Sequence, residues 1–289
     1  MHRLQFGLKT LLWLMVVTAA FSAGQQFEKR SLKRDGDAAD DADQILARLL
    51  AEAPAERKHY EDQSERQRPA DSLSVLPPFT PAGIARAEHL VTVRRPRHRI
   101  IHIADIRYVS LEDLAADLRD QDPDVTDEAV REEHQRIVAV VGRVQAGQRK
   151  LIRWLVQNHG VRVVHLEGLA DVDIPAYRFM VRMLGARGVQ RIPLEFGAVA
   201  RCLAAGELDD VAAAEDEAAY AAANPISGEG VDFHGPANSA REAAIVRRLV
   251  ASGPVSVVVL GGAHDLSEAV RAVGGCEYLR VWVEDLGSD

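Results

Sequence analysis

One histidine in this chain stands where chemistry is commonly done. His264 follows Val257-Val258-Val259-Leu260-Gly261-Gly262-Ala263, a run of β-branched and apolar residues broken by two glycines. Such a run reads as a strand buried on both faces. The glycines let the backbone turn sharply and let another group come close. Leu266-Ser267-Glu268-Ala269-Val270 then reads as the start of a helix. The imidazole therefore sits at the carboxyl end of a central strand, where open α/β sheets bind ligands. The plainer alternative is a strand-to-helix loop whose histidine bonds to nearby backbone.

Two more strand ends carry reactive groups. Val161 to Leu166 ends in Glu167-Gly168, and Ile100 to Ala104 ends in Asp105-Ile106-Arg107. In a parallel sheet all three ends lie on one edge. A histidine and a carboxylate there either bind a divalent metal or form an acid–base pair. Arg107 offers a bidentate grip on an anionic group, with Asp105 beside it. Glu167 as a helix cap or ion-pair partner, and Arg107 as a surface ion-pair residue, are the alternatives. His102 and His165 lie mid-strand and read as hydrogen-bonded core residues. His234 sits in a Gly/Pro-flanked loop that could close over a site.

The elements that must position these groups follow in order. Ser110 is a good N-cap for a helix over Leu111–Leu118. Thr126 caps a long helix from Glu128 to about Asn158, with Val130, Ile137, Val141, Val144, Leu151, Ile152 and Leu155 at three- and four-residue steps. Gly160 ends it, and the Val161 strand follows. A helix spans Ile174–Leu184 with Pro175 in its first turn. Ile192–Phe196 reads as a short edge strand or a loop. Gly197–Leu208 and Ala212–Ala223 read as helices, as does Ala240–Ser252, capped by Asn238-Ser239. Tyr278–Val283 is the last strand. Alternation of this kind predicts an α/β fold, a mainly parallel central sheet with helices on both faces.

The first residues read differently. Arg3 and Lys9 precede an apolar run, Thr10 to Phe21, shorter than the about 20 residues a spanning helix needs. Its length suits a signal-peptide core, with Ala20-Phe21-Ser22 as a cleavage pattern. Lys29, Arg30, Lys33 and Arg34 just beyond resist translocation. Residues 1–24 are therefore expected to be a signal anchor or signal peptide, an N-terminal hydrophobic helix that attaches the chain to a membrane. The side stays open, cell-envelope exposure included. Residues 25–98 read as a flexible, low-complexity linker, acidic at Asp35–Asp41 and stiffened by Pro77-Pro78 and Pro81. Residues 99–289 form the folded domain. A formal net charge of −8 and 5% aromatic residues argue against nucleic acid as a partner. Cys202 and Cys276 have no metal or redox spacing, and are compatible with a pair or with two free thiols. There is no H-E-x-x-H, P-loop, G-x-S-x-G or G-x-G-x-x-G, which disfavours the enzyme classes those motifs mark.

Gly261-Gly262-Ala263-His264 resembles the second G-x-x-H motif of the TraB/Tiki and ChaN-like superfamily, which includes erythromycin-esterase-like proteins. His165-Leu166-Glu167-Gly168 is similar to that group's strand-end glutamate. Leu194-Glu195-Phe196-Gly197-Ala198 with Gly206-Glu207-Leu208 is similar to its central helical region. Glu215 matches an acidic position there, and Arg241 resembles the arginine that precedes the last strand. The likeness spans about Arg99 to Asp289. The first G-x-x-H is replaced here by Ala104-Asp105-Ile106-Arg107, and a guanidinium offers no lone pair to a metal. The resemblance implies a hydrolase acting on a small molecule or peptide. His264 would be general base or metal ligand and Glu167 its carboxylate partner. Arg107 and Arg241 would hold an anionic substrate group with Asp105 beside them. A divalent metal is the cofactor it would bring. The alternative is a binding module of the same fold that has lost catalysis with its first histidine.

Overall fold

The computed structural model describes residues 76–81, 83–106, 108–223, 226–227, 230–231 and 235–283. The expected N-terminal segment 1–24, the linker before residue 76, Arg107 and His234 lie outside them. Among the described residues no helix is long and apolar enough to cross a membrane.

Strands β1 (Ala85–Val91) and β2 (His98–Asp105) come first, followed by helices α1 (Leu111–Gln121) and α2 (Asp127–His159). Next are β3 (Val163–Leu166), α3 (Ile174–Gly185), α4 (Gly197–Ala204) and β4 (Asp210–Ala213). Helix α5 (Glu217–Ala223) and the two-residue strands β5 (Ile226–Ser227) and β6 (Gly230–Val231) lead to α6 (Gly235–Ser252). Strand β7 (Val255–Gly261), helix α7 (Ser267–Val273) and strand β8 (Cys276–Val283) complete the described chain.

The caps at Ser110, Thr126 and Gly160 are those the sequence points to, whereas α6 already starts at Gly235, so Asn238 and Ser239 lie inside it and do not cap it. Ser110 accepts the Asp113 N–H at 3.1 Å and Thr126 accepts the Ala129 N–H at 3.2 Å. Each satisfies one of the N–H groups a helix start leaves unpaired. Gly160 closes α2 at φ 64°, a conformation that side chains with a Cβ rarely adopt.

Six strands form one sheet in the order β1-β8-β2-β7-β3-β4, parallel throughout except for β1 against β8. Alternation along each strand sorts the core into two layers. Ile101 and Ile103 of β2 pack with Leu151, Ile152, Tyr177 and Val199 on one side. Ile100 packs with Ile245, Leu249, Leu266 and Val270 on the other. The sheet thus separates α2, α3 and α4 from α6 and α7, and its two middle strands, β2 and β7, are buried on both faces.

Three expectations are corrected. Packed structure starts before residue 99: β1 pairs with β8 from Ala85↔Val283 onward, and Phe79 is buried against Trp154. Ala212 and Ala213 are strand residues of β4, hydrogen-bonded alongside β3, and the helix begins only at Glu217. Alanine fits either state, and here a neighbouring strand decides. Of the edge strand or loop expected at 192–196, the strand is excluded: the segment is non-strand, with a 3₁₀ turn at Leu194–Phe196.

His102 and His165 are core residues, as expected. His165 Nδ1 meets the Ala213 carbonyl at 3.1 Å. His102 Nε2 donates to the Leu260 carbonyl at 3.2 Å, so Nδ1, at 2.9 Å, accepts the Tyr278 hydroxyl. Burial pushes His102 down to about 4. The unfolded chain takes up this proton near pH 6.5 and the folded chain resists it until about pH 4. Stability should therefore fall across that window, by about 3 kcal/mol from this group. Urea unfolding at pH 7 and pH 4.5 should show a smaller acid loss in His102→Asn than in the unaltered chain. An equal loss in both would exclude His102 as a source.

Candidate functional site

The cluster at the carboxyl edge is assembled by sheet register. Leu166 of β3 pairs with Val259 of β7, so Glu167 follows opposite Leu260, one residue before Gly261. The Glu167 N–H donates to the Val259 carbonyl at 3.1 Å, and Glu167 Oε2 accepts the Gly261 N–H at 2.7 Å. The carboxylate is thereby fixed along the strand end. Its other oxygen, Oε1, accepts His264 Nε2 at 3.1 Å and Arg241 Nη2 at 3.3 Å.

Arg241 comes from the middle of α6 and is 4% exposed. Its Nε donates to Glu215 Oε2 at 3.0 Å and its Nη2 to Glu215 Oε1, a bidentate pair. Glu215, 1% exposed, leaves β4 through Ala214 and also accepts the Gly168 N–H at 3.4 Å. The Tyr220 ring of α5 lies 5.1 Å from the guanidinium carbon, within cation–π range. One guanidinium therefore ties the ends of β3 and β4 to α6.

His264 lies between two carboxylates. Nε2 faces Glu167, and Nδ1 is 3.9 Å from Glu242 Oε1, an oxygen that also accepts Asn238 Nδ2 at 3.1 Å. The hydrogen bond to Glu167, then the nearby Glu242 carboxylate, pushes the imidazole up to about 9. At neutral pH it is an imidazolium that donates to Glu167 through Nε2 and faces the Glu242 carboxylate at ion-pair distance through Nδ1.

Sequence reasoning placed Glu167, Arg241 and His264 at one rim, and these three do meet. Arg241 is not placed as an anion holder, however. It is buried and its guanidinium is already shared between two carboxylates, so it positions them. His264 does not start as a free base, because the flanking carboxylates keep its proton on. Asp105 reaches the same edge but turns to the other face, where Oδ1 accepts Gln148 Nε2 at 2.9 Å. Its carbonyl accepts the Gly262 N–H at 3.2 Å. Glu242 was missed. It neighbours Arg241 in the sequence, and only the fold turns it toward His264.

The donor set does not fit a divalent metal. Among the described residues no group of three or more His, Cys, Asp and Glu side chains is spaced to hold one. Arg241 stands between Glu167 and Glu215 where a cation would have to sit, and a charged imidazole has no lone pair to give. What the cluster can do is exchange a proton along the His264–Glu167 bond. A separate cavity of about 260 Å³ opens at the end of β2, with Asp105, Tyr108, Gln145, Leu194 and Glu195 in its walls and none of Glu167, Arg241, Glu242 or His264 among them.

Fold and cluster together define an α/β domain with a carboxylate–imidazole pair at the carboxyl edge of a mainly parallel sheet. No protein-family model, curated protein or solved structure matches the chain.

Proposed function

We propose that the chain is a membrane-tethered hydrolase of the TraB/Tiki and ChaN-like, erythromycin-esterase-like kind, acting without a metal. The observation that carries this reading is the 3.1 Å contact between His264 Nε2 and Glu167 Oε1 at adjoining strand ends. Glu167 takes the proton of an attacking water, and His264 supplies the proton the leaving group needs. The pair is restored when the proton passes from Glu167 Oε1 back to His264 Nε2. Arg241 and Glu215 keep the carboxylate in place during this exchange. The substrate is a small molecule or a peptide. Residues 1–24 attach the domain to the membrane.

The test is hydrolysis of a panel of p-nitrophenyl esters and fluorogenic peptides by the full chain, with and without EDTA. Glu167→Gln and His264→Gln should each lose at least about 100-fold of the rate, the usual worth of a general acid–base group. EDTA should change nothing. A second reading, a binding module, has its own support: Gly261, His264 and Arg241 already occupy three of the roughly four lone-pair sites of Glu167. Absence of turnover across the panel by a folded chain would favour that reading and overturn the first.

A further inference from the structure

We infer that Arg280 is a positioning residue for His264, the middle member of a clamp that β8 places on the loop Gly261–Leu266. The inference rests on the reading of His264 as the site's proton carrier, and extends it to a strand that reads simply as the end of the sheet.

Tyr278, Arg280 and Trp282 alternate along β8 and so share one face of the sheet. Each meets the loop at a different point. The Tyr278 hydroxyl accepts the Leu266 N–H at 3.4 Å. Arg280 Nη2 donates to the His264 carbonyl at 2.8 Å. The Trp282 ring lies against Gly262, where a Cβ would come within 2.5 Å of ring carbon Cη2. Glycine at 262 is therefore required by the close approach of the ring. Strand β8 does not neighbour β7, since β2 runs between them. The loop folds back across the end of β2, where Ala104 is small enough to pass beneath it. A Cβ at Gly262 would lie 3.5 Å from that of Ala104.

The clamp has a chemical consequence. Fixing the His264 carbonyl fixes the Cα from which the ring reaches Glu167 and Glu242. A ring free to swing would lose both partners. The charged and titratable groups around it are Glu167 after β3, Glu242 and Arg241 on α6, His102 on β2, Asp265 in the loop itself, and Tyr278 and Arg280 on β8, Arg280 also lying 3.9 Å from Asp265.

Those charges let the two possible roles of Arg280 be told apart. If Arg280 acted only as a nearby positive charge, removing it would make the imidazolium easier to hold and raise its pKa. If Arg280 positions the ring, removing it lets the ring leave Glu167 and Glu242, and the pKa falls. The experiment is an NMR titration of the His264 ring in the full chain, assigned with His264→Gln. Arg280→Gln should weaken proton binding at His264 by about tenfold or more, one pKa unit. Arg280→Lys, which retains a donor and the charge, should recover most of that loss. Arg149→Met removes an ion pair to Glu207 elsewhere, and should lower stability while leaving His264 unmoved. An unchanged or raised His264 pKa in Arg280→Gln overturns the clamp. If that variant does not fold, Gly262→Ala takes its place, since the added methyl and the Trp282 ring cannot both stay where they are and the contact that seats the loop on β8 is broken. The same fall is expected, and constancy or a rise overturns the inference. Turnover is not needed for this measurement. An inert chain whose His264 responds as described retains the clamp and loses only the hydrolase reading.

Discussion

Replacing Arg241 by methionine is expected to destabilise the domain by about 3–5 kcal/mol, the usual cost of leaving a buried charge without its partner. The guanidinium is the bidentate partner of Glu215, which is 1% exposed, and also reaches Glu167. Without it Glu215 is left with the single, long N–H contact from Gly168. Much of a domain's net stability is of this size, so the variant should be largely unfolded at modest urea. The paired replacement Arg241→Met with Glu215→Leu removes both charges together, and a buried ion pair exchanged for apolar groups of similar volume is often close to neutral. The double variant should therefore recover most of what the single one loses. Urea unfolding of both, beside the unaltered chain, checks this. A single variant within 1 kcal/mol of the original, or a double variant no better than the single, would show that the pair does not anchor β3, β4 and α6. Because this pair also fixes Glu167, the double variant should fold yet hydrolyse poorly.

The second large effect is alkaline. His264 is held up to about 9 by Glu167 and Glu242, against about 6.5 in the unfolded chain. A group whose folded pKa is raised stabilises fully below its unfolded pKa. It loses that contribution as pH climbs through the folded value. Between pH 6.5 and pH 9 the domain should lose about 3 kcal/mol from this group. Glu167→Gln removes the larger of the two causes, so the slope over that window should flatten. Denaturation midpoints at half-unit pH steps for the two proteins provide the check, and parallel curves would refute the assignment. His102 acts with the opposite sign, its contribution failing as pH drops from 6.5 toward 4. The two histidines together place greatest stability near pH 6.5. Proton exchange in the proposed reaction draws on the same His264–Glu167 bond, so in Glu167→Gln activity should fall together with the stability this group contributes at neutral pH, while the further loss between pH 6.5 and pH 9 shrinks.

Much of the local structure could be read from residue order. The apolar run before Gly261, the caps Ser110 and Thr126, the αL stop at Gly160 and the periodic face of α2 all rest on interactions within a few residues. Strand ends carrying Glu167, Asp105 and His264 share an edge once the sheet is known to be parallel, and the strand–helix alternation implies that. The alanines of β4 and the start of β1 were not legible, because neither carries a pattern of its own. Both become strands only when β3 and β8 offer them hydrogen bonds.

The pairing of charges lay beyond such reading. Arg241 meets Glu167 across 74 positions and His264 meets Glu167 across 97. No local preference selects those partners. They follow from β7 inserting between β2 and β3, which sets Gly261 beside Glu167, and from α6 crossing that end of the sheet. The same arrangement places Glu242 on the far side of the imidazole and keeps its proton on. Residue types thus limited the edge to acid–base or ligand-holding chemistry. Strand order and burial then turned Arg241 from a ligand clamp into a scaffold and His264 from a base into a proton donor, because a charge's role depends on which opposite charges share its low-dielectric surroundings.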